Sequence, residues 1–177
     1  MTSAQAAIAG LMATGRTIAV AESLTGGGLA AALVDVPGAS AVVRGGVLAY
    51  QTELKARLLQ VDPQLLAQEG AVDERVAVAM AWGVRQLMGA DVGLATTGEA
   101  GPQAQSSRPV GTVFIALADT AGVRTRNWQL AGSRTQIRTA SVQLALALLS
   151  GSAGHASGDD QAAPGLAPRE QTLPSRR

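Results

Sequence analysis

The chain has no cysteine, one histidine, one lysine and four aromatic residues in 177 positions. Without cysteine there is no disulfide framework, no thiolate nucleophile and no zinc–thiolate site. Four aromatics cannot build a stacking platform for single-stranded nucleic acid. A net charge of +1, with arginines scattered along the chain, supplies no basic stripe, so no nucleic-acid partner is expected. No uninterrupted apolar run approaches the ~20 residues of a membrane span, and the N-terminus lacks the basic start and apolar stretch of an export leader. The expectation is a cytoplasmic protein with no membrane partner.

What is present is a 47% hydrophobic composition carried by Ala, Val and Leu, enough for one well-formed core at this length. The basic residues are informative. Thirteen of the fourteen are arginine, and Lys55 stands alone, five positions after the only tyrosine, Tyr50. Arginine keeps its proton under all ordinary conditions, whereas a lysine gives it up when burial or nearby positive charge lowers its pKa. Lys55 is therefore the side chain to consider where a removable proton matters.

Periodicity gives the elements. "SAQAAIAGLMATG" reads as a helix stopped by Gly15, "RTIAVAES" as a short buried strand, and "GGGLAAALVDV" as a helix ending before Pro37. "GGVLAY" is a second strand; Thr52 is the expected N-cap of "ELKARLLQV"; Asp62-Pro63 opens a short helix and Asp73 caps a long one. "DVGLATTG" is a third strand followed by the loop "EAGPQAQSSRP". "VGTVFIALA" and "VRTRNWQLA" read as an antiparallel pair, and a last helix runs from Ser133 to Leu149 with Ile137, Ala140, Leu144 and Leu148 on one face. Helices alternating with apolar strands predict an α/β fold, a three-layer α/β/α sandwich over a mixed, mostly parallel sheet. Residues 1–150 form that domain. Residues 151–177, rich in Gly, Ser, Ala and Pro without periodicity, are expected to be a disordered tail.

Strand–turn–helix units of α/β proteins bind ligands at the carboxyl ends of their strands. In "AESLTGGGLAAALV", Ser23 and Thr25 occupy such a turn, and Gly26, Gly27 and Gly28 open the helix. Glycines there let an anion or a carbonyl oxygen approach backbone N–H groups; they also suit tight packing with Ser23 or Thr25 as a plain cap. As a nucleophile Ser23 needs a base, and His155 falls in the tail. Lys55, near the positive end of its helix, fits the Ser-Lys form of acyl transfer. Tyr50 either relays a proton or holds substrate, or is an ordinary strand tyrosine. "TTGEAGP" ends another strand with a glycine turn, and Arg134 and Arg138 share a helix face that suits a phosphate or simply water.

The blocks "AESLTGGG", "GGVLAYQTELKARLL", "GAVDERVAVAMAWGVR", "TTGEAGP", "RPVGTVFIAL" and "GSRTQIRTASVQLAL", in this order over residues 4–150, resemble the C-terminal domain of the competence/damage-inducible protein CinA. Stand-alone members of that family are nicotinamide mononucleotide deamidases. The resemblance implies hydrolysis of a carboxamide to nicotinate mononucleotide and ammonia, in pyridine-nucleotide salvage, without metal or cofactor and in a homo-oligomer. By the same resemblance Ser23 is the nucleophile and Lys55 and Tyr50 are the base and its helper. Thr25, Gly26 and Gly27 surround the oxyanion, Thr97 and Gly98 line the substrate pocket, and Arg138 lies near the phosphate. The chain departs from the family pattern at Gln51-Thr52, Glu99, "PQAQSS" and Ser133, all on the expected pocket rim. A non-catalytic nucleotide-binding module and an amidase for another small carboxamide are the alternatives.

Overall fold

The computed structural model describes residues 1–151. Of the expected tail, Gly151 is described and ends the last helix; residues 152–177, with His155, lie outside the described residues.

Five strands form one sheet in the order β2-β1-β3-β4-β5. They are β1 (Ile18–Glu22), β2 (Val43–Leu48), β3 (Val92–Gly98), β4 (Thr112–Asp119) and β5 (Gly122–Gln129). β1 pairs in parallel with β2 and β3, while β4 is antiparallel to both its neighbours. Four strands therefore share one direction and β4 is reversed. This mixed sheet follows from two long helical crossovers, which force parallel pairing, and one tight hairpin, which forces antiparallel pairing.

The helices are α1 (Ser3–Thr14), α2 (Gly28–Val34), α3 (Thr52–Leu59), α4 (Pro63–Glu69), α5 (Glu74–Leu87) and α6 (Arg134–Gly151). Alternation along the strands sorts their side chains into two cores. Ile18, Val20, Val92, Leu94, Val113, Ile115 and Leu117 pack with α1, α2 and α6. Ala19, Ala21, Ala95, Phe114, Ala116 and Ala118 pack with Leu59, Val61 and α5. The second face carries mostly alanine, so α5 lies close to it. A Cβ on Gly93 would sit 2.0 Å from the Ala81 carbonyl oxygen, and one on Gly83 would sit 2.0 Å from that of Leu59. No helix of the described residues is long and apolar enough to cross a membrane.

Local signals behave as their chemistry dictates, with three exceptions. Gly15 ends α1 in the left-handed region (φ 63°), and the Asp62 and Asp73 side chains accept backbone N–H bonds as N-caps. Thr52, expected as a cap, is instead the first residue of α3; Gln51 holds the cap position without a side-chain bond. The buried ridge of α6 runs through Ile137, Ser141, Ala145 and Leu149, with Val142 and Leu146, leaving Leu144 and Leu148 only partly buried. α6 packs on both α1 and α2, so its buried face is wider than the single stripe through Ala140, Leu144 and Leu148. A 3-10 turn over Ala39–Ala41, carrying no strong sequence signal, leads into β2.

Candidate active site

β1 and β3 are central neighbours, with Glu22 opposite Thr96 at their carboxyl ends. Immediately beyond that pair the chain leaves β1 through Ser23, whose N–H donates to the Thr96 carbonyl. A cavity of about 480 Å³ opens there, lined by Ser23, Leu24, Tyr50, Lys55, Thr97, Gly98, Glu99 and Arg134 among others.

Lys55 is the chemical centre of this cavity. Its side chain is fully buried (0% exposed), and its amine donates to Ser23 Oγ at 3.1 Å and to the Ala49 carbonyl at 2.7 Å. Burial lowers its pKa from 10.5 to about 8. The sequence suggests the dipole of α3 as the reason; the dominant cause is desolvation, which penalises the ammonium form. The Ala49 carbonyl fixes the amine in place. When Lys55 is neutral, its lone pair is available to the Ser23 hydroxyl.

Of the two uses its sequence leaves open, the glycine turn shows the packing one: its groups are taken up by the chain itself. Glu22, at the end of β1, is 2% exposed. Its carboxylate accepts N–H bonds from Gly27 (3.0 Å), Leu29 (3.0 Å) and Ala30 (2.8 Å) at the start of α2. The positive end of α2 is thus closed by the chain itself. Gly26 has φ 62°, and the space a Cβ would take there is filled by Arg138 Nη2, 2.8 Å away. Arg138 does not line the cavity: Nε donates to the Leu24 carbonyl (3.0 Å) and Nη2 to that of Thr25 (2.8 Å), clamping the turn from behind. Thr25 is buried too, its hydroxyl bonded to that of Thr96 at 2.8 Å. Of the N–H groups expected around the oxyanion, Gly26 donates to the Ser23 carbonyl and Gly27 to Glu22. Among the described residues, those of Leu24 and Thr25 donate to no protein acceptor, and Leu24 faces the cavity.

The remaining expected residues divide between wall and mouth. Thr97 is buried and donates to the Ala71 carbonyl at 2.7 Å, which ties β3 to the segment preceding α5. Gly98 sits where a Cβ would meet the Thr112 carbonyl oxygen at 2.5 Å. Tyr50 is half exposed (52%) at the mouth, and its hydroxyl accepts from Arg134 Nη2 at 2.8 Å. Arg134 Nη1 donates to the Gly101 carbonyl at 2.7 Å. The structure therefore brings Ser23 and Lys55 together and joins Tyr50 to Arg134. It sets Thr25, Gly26, Gly27 and Arg138 behind the turn. Glu22 is the site-shaping residue that the sequence did not single out, and an acidic residue just before a glycine-rich helix start was the available signal; Arg134, noted in the sequence beside Arg138, is the arginine of that pair that lines the cavity.

The CinA C-terminal domain family model matches residues 1–153. A CinA-like protein of Frankia casuarinae is 59% identical over 133 residues, covering 75% of this chain and 31% of the relative. One from Mycobacterium tuberculosis is 51% identical over 138 residues, covering 77% and 32%. This chain thus spans about a third of the length of those curated relatives. Among solved structures, a CinA superfamily protein of Klebsiella pneumoniae superposes with TM-score 0.82 at 32% identity, covering 85% of this chain and 95% of that one. The competence/damage inducible protein CihA of Agrobacterium tumefaciens gives TM-score 0.80 at 36% identity, covering 83% and 91%. Six sequence blocks, the sheet order and the whole extent of the model match agree: this chain belongs to the CinA C-terminal domain family.

Proposed function

We propose that this protein is an amidase that converts nicotinamide mononucleotide to nicotinate mononucleotide and ammonia through an acyl-serine intermediate. The observation that carries the reading is the buried contact between Lys55 Nζ and Ser23 Oγ at 3.1 Å. A serine hydroxyl is a poor nucleophile until a base takes its proton, and an amine with a pKa of about 8 is matched to that task near neutral pH.

In the first half-reaction neutral Lys55 accepts the Ser23 proton as Oγ bonds to the carboxamide carbon. The oxygen of that group becomes an oxyanion beside the free N–H of Leu24; one such donor is typically worth about 2.7–4 kcal/mol. The Lys55 ammonium then protonates the departing nitrogen, the C–N bond breaks, and ammonia leaves. In the second half-reaction Lys55 takes a proton from water, whose oxygen attacks the acyl carbon. Collapse returns the proton to Ser23 Oγ and releases the carboxylate. Tyr50 and Arg134, bonded to each other at the mouth, offer a hydroxyl and a guanidinium to the outer part of the nucleotide. Thr97 and Gly98 keep the wall of the reacting pocket narrow. The reading carries with it a cytoplasmic homo-oligomer working in pyridine-nucleotide salvage.

The test is to incubate purified protein with nicotinamide mononucleotide and to measure ammonia and nicotinate mononucleotide. Ser23→Ala and Lys55→Met are each expected to lower turnover about a thousandfold or more. Unchanged turnover in Ser23→Ala overturns the covalent mechanism. Nucleotide binding with no product in the unaltered protein replaces the enzyme with a binding module. Activity on free nicotinamide alone makes it a small-carboxamide amidase.

A further inference from the structure

The carboxylates around the cavity have different partners. Asp73 pairs with Arg75 and Arg108, and Glu69 pairs with Arg75. Glu99 has no ion-pair partner among the described residues, although it is only 7% exposed. One of its oxygens, Oε1, accepts the Gln105 N–H at 3.2 Å. Among the described residues the one enclosed side-chain polar atom without a partner is Arg108 Nε, so the other Glu99 oxygen, which has no protein donor, is not sealed in protein. Glu99 is one of the residues that line the cavity. A carboxylate held this deep without a cation is costly to the fold unless something else supplies the positive charge.

Depth decides which part of a ligand meets it. Ser23 is 9% exposed and Glu99 7%, whereas Tyr50 and Arg134 are exposed at the mouth. Ser23 follows β1 directly and Glu99 follows β3 directly, and β1 and β3 are hydrogen-bonded neighbours. Glu99 therefore faces the buried, reacting end of the ligand, and the phosphate end lies toward Arg134. In a nicotinamide nucleotide that buried end is a pyridinium ring, cationic because its nitrogen carries the ribose.

We propose that Glu99 determines specificity by recognising the positive charge of an N-substituted pyridinium ring, so that the site takes cationic carboxamides in preference to neutral ones. The inference rests on the amidase reading above. Its test uses Ser23→Ala protein, which holds substrate without turnover, and two ligands of nearly identical shape. These are nicotinamide mononucleotide and its 1,4-dihydro form, whose ring is uncharged. Calorimetric Kd values are expected to favour the oxidised nucleotide by about tenfold, the scale of one partly desolvated charge pair. Adding Glu99→Gln, which keeps the volume and an acceptor for Gln105, is expected to bring the two Kd values within twofold. Equal affinity for both ligands in Ser23→Ala protein overturns the proposal and leaves the amidase reading standing. So does a Glu99→Gln protein that keeps the preference, or one that weakens both ligands equally, the pattern of an acceptor for ribose hydroxyls. Binding of neither ligand overturns both readings. The first comparison needs no Glu99 variant, so it decides even where the double variant does not fold.

Discussion

A single amine anchors the proposed chemistry, and its rarity made it visible. Ser23 and Tyr50 stand out because each lies just beyond the end of a strand, and Lys55 and Tyr50 because each occurs once in the chain. Their pairing was less legible: Tyr50 meets Arg134, which is 84 residues away, and no local spacing reports such a contact. The consequence of the Lys55 environment is a pH profile. Below its pKa of about 8 the amine is protonated and cannot accept the Ser23 proton. kcat/KM is therefore expected to rise about tenfold per pH unit well below pH 7, to reach half its maximum near pH 8, and to level off above it. Initial rates with subsaturating nicotinamide mononucleotide across pH 6–10 check this. Lys55→Arg, which retains positive charge but cannot release its proton, should be inactive throughout. A flat profile in the unaltered protein would remove Lys55 from the base role.

The strand–turn–helix unit is correctly placed from sequence, while the choice between ligand approach and tight packing that its glycines leave open depends on contacts far along the chain. Alternation and the glycine run located β1, the turn and α2 to within a few residues. Three glycines suit a ligand-binding helix start and a tightly packed one alike. The actual reason is long-range: Glu22 occupies the N–H groups of α2, and Arg138, 113 residues from Thr25, needs the space that Gly26 leaves. Neither contact has a periodic signature. The family resemblance puts Arg138 near a phosphate, and the geometry makes it a clamp on the carbonyls of Leu24 and Thr25. Arg138→Ala leaves those part-buried acceptors without their donors, at a cost of about 1–3 kcal/mol. It should lower Tm by roughly 2–4 °C per kcal/mol lost in a chain of this size. Its effect on kcat/KM should be the same for nicotinamide mononucleotide as for the riboside, which has no phosphate. A loss confined to the phosphorylated substrate would assign Arg138 to the phosphate instead.

At the scale of the whole molecule, the sheet separates a face of bulky side chains from a face that is mostly alanine, and the small face lets α5 lie against the strands and α3 pack closely on α5. Composition made the α/β class legible, because Ala, Val and Leu arranged in short runs fill a layered core in which Phe114 is the one buried aromatic among the described residues. Burial in this packing is also what strips water from Lys55, so the fold bears a pH-dependent cost for the candidate site. The native amine releases its proton near pH 8, while an unfolded lysine holds it to about 10.5. Between those values the unfolded chain binds more protons than the native one, and stability must rise with pH. The full cost below pH 8 is about 3 kcal/mol, from 1.36 kcal/mol per pKa unit. Comparison with Lys55→Met isolates this effect, since the other titrating groups are common to both proteins. Urea unfolding at pH 7.5 and at pH 10 should show the unaltered protein gaining about 2 kcal/mol relative to Lys55→Met. The absolute offset between the two depends on the Ala49 carbonyl that methionine leaves without a donor. The slope does not, and parallel pH dependences in the two proteins would mean that the amine is hydrated in the native state.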